Sequence, residues 1–312
     1  AGNVTILKHS NQVPQCALAI EEAFKECGFP ENVFRTVITN HEAIKDLIES
    51  NLIQGVSLTG STSAGAKVAE LAGANLKKVV LELGGSDPFI VLDDADVEFA
   101  AKNAVSGRTI NSGQSCISAK RFIVIRKIEE EFTRKFAQGI SDLAVGDPMD
   151  MKTDVGPLVN KDGLLQIEAQ VNDALSKGAK VLTGGKRLER KGYFYMPTVL
   201  SNIKSEMKVV NEEVFGPVAP IIIVNNEDEA IKVANNSEFG LGASIWTSNE
   251  NKGLEIAKRI EAGDVFINSV VKSDPRMPFG GIKKSGIGRE LSKYGLKEFV
   301  NIKGINVYEV KK

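Results

Sequence analysis

Short apolar runs and amphipathic stretches take turns along nearly the whole 312-residue chain, and this alternation limits the possible folds more than any other feature. Residues 15–27 place Ala17, Ile20, Phe24 and Cys27 at helical intervals with charges between, ending at Gly28-Phe29-Pro30. NVFRTVI reads as a strand, followed by a helix over 41–50, a strand over 53–58, a helix over 64–72 and a strand over 79–83. Beyond Gly84-Gly85 the rhythm resumes with FIVL, a helix over 95–107, RFIVI and a helix over 129–144. Helices near 162–177, 226–236 and 250–261 then alternate with VAPIIIV, GASIWT and DVFIN. Strands separated by helices predict a parallel, doubly wound α/β sheet, and the length allows two cores. PFGGIKKSGIGRE reads as a loop running into a helix near Glu290–Tyr294. FVNIKGINVYEV alternates polar and apolar residues like one exposed strand, whose free edge invites a second chain.

Charge removes several function classes. The chain carries 39 basic and 40 acidic residues, so it has no excess field for a nucleic-acid backbone or an anionic membrane. VAPIIIV is far shorter than the roughly 18 apolar residues of a membrane span. AGNVTILKHS shows no leader pattern, and three cysteines without a CxxC pair imply reduced thiols, so a cytoplasmic location is expected. With only His9 and His41, no metal site can be assembled from the spacings.

Four stretches could carry chemistry. LTGSTSAG at 58–65 follows a strand and opens a helix, where backbone N–H groups could hold a pyrophosphate; an ordinary strand-to-helix turn reads the same way. Glu82 interrupts the apolar run KKVVLELGG, either as a buried base with a raised pKa or as a charge at a strand end. Cys116 lies in the polar loop NSGQSCIS, where N–H groups could lower a thiol pKa, although a small loop residue is the simpler reading. Cys16 and Cys27 fall in the first helix and read as core. In EEVFGP one of two acids could accept hydrogen bonds from a ribose, or both could form a solvated corner.

In this order, LTGSTSAG, LELGGSDP, NSGQSC, EEVFGP and PFGGIKKSGIGRE resemble the NAD(P)-dependent aldehyde dehydrogenase superfamily over the whole chain. The thirty-four positions from Glu82 to Cys116 match the family's spacing of base and nucleophile. LELGGSDPFIVLDDAD and CISAKRFIV lie nearest its succinate-semialdehyde dehydrogenase branch.

The resemblance implies a partial Rossmann-like cofactor domain (1–84), a catalytic domain (85–284), a return segment (285–298) and an oligomerisation strand (299–312). It implies Cys116 as nucleophile and Glu82 as the base that activates water. Lys8, Gly60, Ser61, Glu213 and Phe215 would hold the dinucleotide, and the absence of an acid beside Lys8 leaves room for NADP as well as NAD. For a semialdehyde carboxylate, Arg108 and Arg276 are the candidate cations.

Against the family pattern, the first third, a Trp-Asn motif and a hairpin are absent, so weakened turnover and self-association are expected. Loss of one oxyanion donor costs about 2.7 to 4 kcal/mol. A catalytically silent binding partner and a cofactor-independent thiol esterase are the alternative readings.

Overall fold

The computed structural model describes residues 1–309. β1 (Thr5–Leu7), α1 (Pro14–Glu26) and β2 (Phe34–Thr36) form a unit in which the two strands pair in parallel. α2 (His41–Glu49) follows, its first turn capped by the Asn40 side chain. β3 (Gly55–Thr59) and β4 (Lys78–Glu82) also run parallel, joined by α3 (Thr62–Ala74), which Ser61 caps.

The larger layer begins with β5 (Pro88–Val91), α4 (Val97–Thr109), β6 (Arg121–Ile125) and α5 (Glu129–Ser141). It continues through α6 (Lys161–Ser176), β7 (Lys180–Thr183), β8 (Thr198–Ser201), α7 (Lys208–Asn211) and β9 (Val218–Val224). Then come α8 (Glu227–Asn235), β10 (Phe239–Gly240), β11 (Gly242–Trp246), α9 (Glu250–Ala257) and β12 (Asp264–Ile267). Seven strands share one sheet in the order β12-β11-β5-β6-β9-β8-β7, parallel except for the β7 edge.

Alternate residues of the central strands feed separate cores. Phe89, Val91, Phe122 and Val124 face α4 and α5, packing with Ala104, Phe132 and Phe136. Ile90, Leu92, Ile123 and Ile125 face α8 and α9, packing with Ile231, Ala234 and Ile256. A strand covered on both faces is apolar along its length, which explains the runs FIVI after Arg121 and VAPIIIV.

After β12 the chain turns back. β13 (Ile282–Lys283) pairs with β10, while β14 (Gly286–Ile287) adds antiparallel to β4, opposite Glu82 and Leu81. α10 (Ser292–Glu298) follows, starting two residues later than the sequence suggests.

Two expectations need correction. Cys16 and Cys27 are exposed, because α1 rests on a two-stranded sheet too narrow to cover its whole apolar stripe; only Ala17 and Glu21 are buried. No strand forms over 299–309, since a strand needs a ladder partner and the described chain offers none there; residues 310–312 lie outside the described part. The edge strands β7 and β8 and the short α7, missed in the sequence, sit in a stretch broken by Gly184, Gly185 and Gly192.

Candidate active site

Glu82 is the last residue of β4, with 4% of its surface exposed, so it is both a strand-end acid and a buried one. Neither carboxyl oxygen has a hydrogen-bond partner. Burial, reinforced by the nearby Glu290 and Asp264 carboxyls and opposed by Arg289, pushes its pKa up to about 8. Around neutral pH Glu82 is therefore mostly a neutral acid, poised to take a proton once ionised.

The turn that could hold an anion stands next to it. The Gly60 N–H donates to the Glu82 carbonyl at 3.0 Å, tying the end of β3 to the end of β4. A Cβ placed on Gly60 would meet nothing nearer than 3.8 Å, so the space over this turn is open. The Ser61 hydroxyl caps α3 through the Ala64 N–H. Open glycine backbone at the start of a 13-residue helix suits a diphosphate, so this turn fits the phosphate part of a dinucleotide. Lys8 stands half-buried just after β1, and Phe215 is 39% exposed.

Cys116 follows a strained turn between α4 and β6. Asn111, Ser112 and Gly113 all adopt left-handed backbone angles, φ 50°, 57° and 77°. Gly113 packs directly against the Gly216 and Pro217 backbone of EEVFGP, leaving no room for a Cβ. Arg108, from the end of α4, fastens the same turn: its guanidinium donates to Gly113 O at 2.7 Å, Ser118 Oγ at 2.8 Å and Val214 O at 3.4 Å. Arg108 is 0% exposed, so it braces the loop and does not face solvent to meet a substrate, contrary to expectation. Arg276 is on the surface, paired with Asp274 at 2.6 Å.

Glu213 binds two of these segments together. Its carboxylate accepts from Gly85 N–H at 3.1 Å and lies 3.6 Å from the Lys120 ammonium. That fully buried ammonium donates to the carbonyls of Ser115 at 2.8 Å and Cys116 at 2.7 Å, and to Ser118 O at 3.4 Å. Gly85 touches Cys116 from the other side, with the Cys116 carbonyl 2.6 Å from where a Cβ would stand. The ends of β3 and β4, the thiol loop and EEVFGP thus form one contact network, whereas Arg276 makes no hydrogen bond or ion pair with any of them.

The Cys116 thiol is half-buried and its pKa is raised, not lowered. Burial is the main cause; Lys120 and the Ile117 N–H pull it down, while Asp87 and Glu213 push it up. No hydrogen bond joins the thiol to Glu82, whose oxygens are unpartnered. Sequence reasoning missed Lys120 and Asp87. Their signal was charge set against buried apolar runs, in AKRFIVI and SDPFIV. A surface cleft of about 730 Å³ between α5 and β7 contains none of these side chains.

The profile of the Aldehyde dehydrogenase family matches residues 1–305. The chain belongs to the aldehyde dehydrogenase family. Among its relatives, an NADP(+) succinate-semialdehyde dehydrogenase of Mycobacterium leprae is 48% identical over 305 residues, covering 98% of this chain and 67% of that protein. A probable succinate-semialdehyde dehydrogenase [NADP(+)] of Synechocystis is 50% identical over the same length and coverage. The crystal structure of succinic semialdehyde dehydrogenase from Streptococcus pyogenes in complex with NADP+ superposes with a TM-score of 0.96 at 40% identity, covering 99% of this chain and 68% of that one. As an aldehyde dehydrogenase the chain is an aldehyde-oxidising oxidoreductase by family, and the silent-partner and esterase readings are not favoured. This aldehyde dehydrogenase chain spans about two thirds of the length of these relatives. Among the described residues, no helix is long and apolar enough to cross a membrane.

Proposed function

We propose that this chain oxidises a small semialdehyde to its acid with NADP or NAD, through a covalent bond to Cys116. Two groups carry the reading: a buried, unpartnered carboxyl at the end of β4, and a half-buried thiol on a braced loop whose Cys116 carbonyl packs against Gly85, three residues beyond Glu82. The Cys116 thiolate adds to the aldehyde carbon, and the carbonyl oxygen takes up the negative charge. When bound, the dinucleotide supplies the hydride acceptor that converts this adduct to a thioester. Ionised Glu82 then removes a proton from water as its oxygen attacks the thioester carbon; the C–S bond breaks and the thiolate is released with the acid.

Gly60 and Ser61 are the proposed phosphate contacts. Lys8 would reach the adenosine ribose, Glu213 the nicotinamide ribose, and Phe215 would pack near the nicotinamide. Glu213 already spends one oxygen on Gly85 and Lys120, which leaves the other for a ribose hydroxyl. The names of the relatives in Mycobacterium leprae and Synechocystis support succinate semialdehyde and NADP. Arg276 remains the proposed carboxylate partner, by exchange with Asp274. Free cysteines support a cytoplasmic setting. The exposed Ile302, Ile305, Val307 and Tyr308 support self-association through this segment.

The test is NADPH formation with succinate semialdehyde and with neutral aldehydes, repeated on Cys116→Ala. Turnover that persists in the alanine variant refutes the covalent route.

A further inference from the structure

We propose that Lys120 is a positioning residue that turns the backbone N–H groups of Cys116 and Ile117 outward, making a two-donor cradle for the charged oxygen formed at the thiol. The inference rests on Cys116 being the nucleophile. In a trans peptide the carbonyl and the N–H point in opposite directions. Lys120 gathers the carbonyls of Ser115 and Cys116 onto one buried ammonium, at 2.8 and 2.7 Å. The N–H groups of those same two peptides belong to Cys116 and Ile117, and so they point away from Lys120. Neither donates to an oxygen of the described chain, although neighbouring Gln114 N–H and Ser118 N–H do, to Asn111 and Ser115. Two successive N–H groups with no oxygen acceptor in the described chain, placed beside a nucleophile, form an anion-binding concavity. The Ile117 N–H already bears on the Cys116 sulfur.

The arrangement needs a cation inside the protein, and the surroundings show how it is tolerated. Lys120 is 0% exposed, and its charge is balanced by Glu213 at 3.6 Å and by buried Asp87, with Arg108 opposing. Asp87 is fixed in turn by the Gly242 N–H at 3.1 Å, and its carbonyl receives the N–H groups of Lys120 and Arg121. A lysine committed to three carbonyls and two acids is held tightly enough to set the plane of both peptides. Its charge also acts on the thiol itself, against Asp87 and Glu213.

The test is the pH dependence of Cys116 alkylation by iodoacetamide, in which the thiolate sulfur displaces iodide and no aldehyde turnover is needed. Failure here is thus distinguishable from failure of the proposed oxidation. Lys120→Met is expected to move the alkylation midpoint upward by about one pH unit or more and to slow alkylation at pH 8 about tenfold, with Lys120→Arg restoring part of both. A merely structural role would slow alkylation without moving the midpoint. An unmoved midpoint in folded Lys120→Met overturns the proposal. Should that variant not fold, hydrogen exchange on the unaltered protein decides: the amides of Cys116 and Ile117 exchange freely beside a protected Ser118, and protection of either one overturns the cradle.

Discussion

The Gly60 N–H and the Glu82 carbonyl meet at 3.0 Å, so the turn suited to a diphosphate and the buried acid share one hydrogen bond between adjacent strand ends. The turn's openness is testable apart from the acid. Gly60→Ala introduces a methyl that makes only ordinary van der Waals contact, with Leu58 at 3.8 Å, so Tm should stay within about 2 °C of the parent while the dinucleotide KM rises about tenfold or more. Calorimetry and initial rates check both halves; an unchanged KM would remove Gly60 from the phosphate site.

Glu82 should make the protein less stable as pH rises. Its folded pKa, about 8, lies above the ordinary 4.5, so below pH 4.5 both states hold the proton and the favourable contribution is complete. Between those values unfolding releases that proton, and the contribution is lost as pH rises towards 8. Glu82→Gln is therefore expected to match the parent near pH 4 and exceed it at pH 8 to 9, by on the order of a few kcal/mol. Denaturant melts at the two pH values measure the difference, and parallel curves would refute a buried neutral acid.

The same ionisation should appear in catalysis. With about a tenth of Glu82 ionised at pH 7, thioester hydrolysis climbs through pH 8 and levels off above it. In Glu82→Gln that limb flattens and the rate falls about 100-fold or more, while the stoichiometric first turnover survives as a burst. Rapid-mixing absorbance distinguishes the two phases.

Arg108 and Arg276 should differ in kind. Arg108→Met removes three bonds beneath the thiol loop, so it should lower stability by about 3 kcal/mol and lower kcat alike for succinate semialdehyde and for a neutral aldehyde. Arg276→Ala should leave Tm nearly unchanged and raise KM for the anionic substrate alone. Equal KM effects on both substrates would end the carboxylate proposal for Arg276.

The layered fold was readable because β5, β6 and β9 are apolar on both faces and their helices carry clear stripes. Glu82 and Cys116 stood out in the sequence as a polar residue in an apolar run and a thiol in a polar loop, and they remain the proposed base and nucleophile. Arg108 was misread because a cation near a helix end looks solvated until the tertiary fold lays EEVFGP over it. Cys27 was misread because helical spacing tells which residues share a face, not how wide the opposing surface is. Lys120 could have been suspected, but its role depends on the carbonyl directions of Ser115 and Cys116, which no sequence pattern encodes.

The raised pKa values of Cys116 and Glu82 have a practical result for the resting protein. With sulfur and carboxyl both still carrying their protons, stray oxidants and electrophiles encounter an inert centre, since only the thiolate reacts quickly. Under the proposed route, reactivity is held back until a bound molecule alters the charge balance around Cys116, so the thiol is shielded while the protein is at rest.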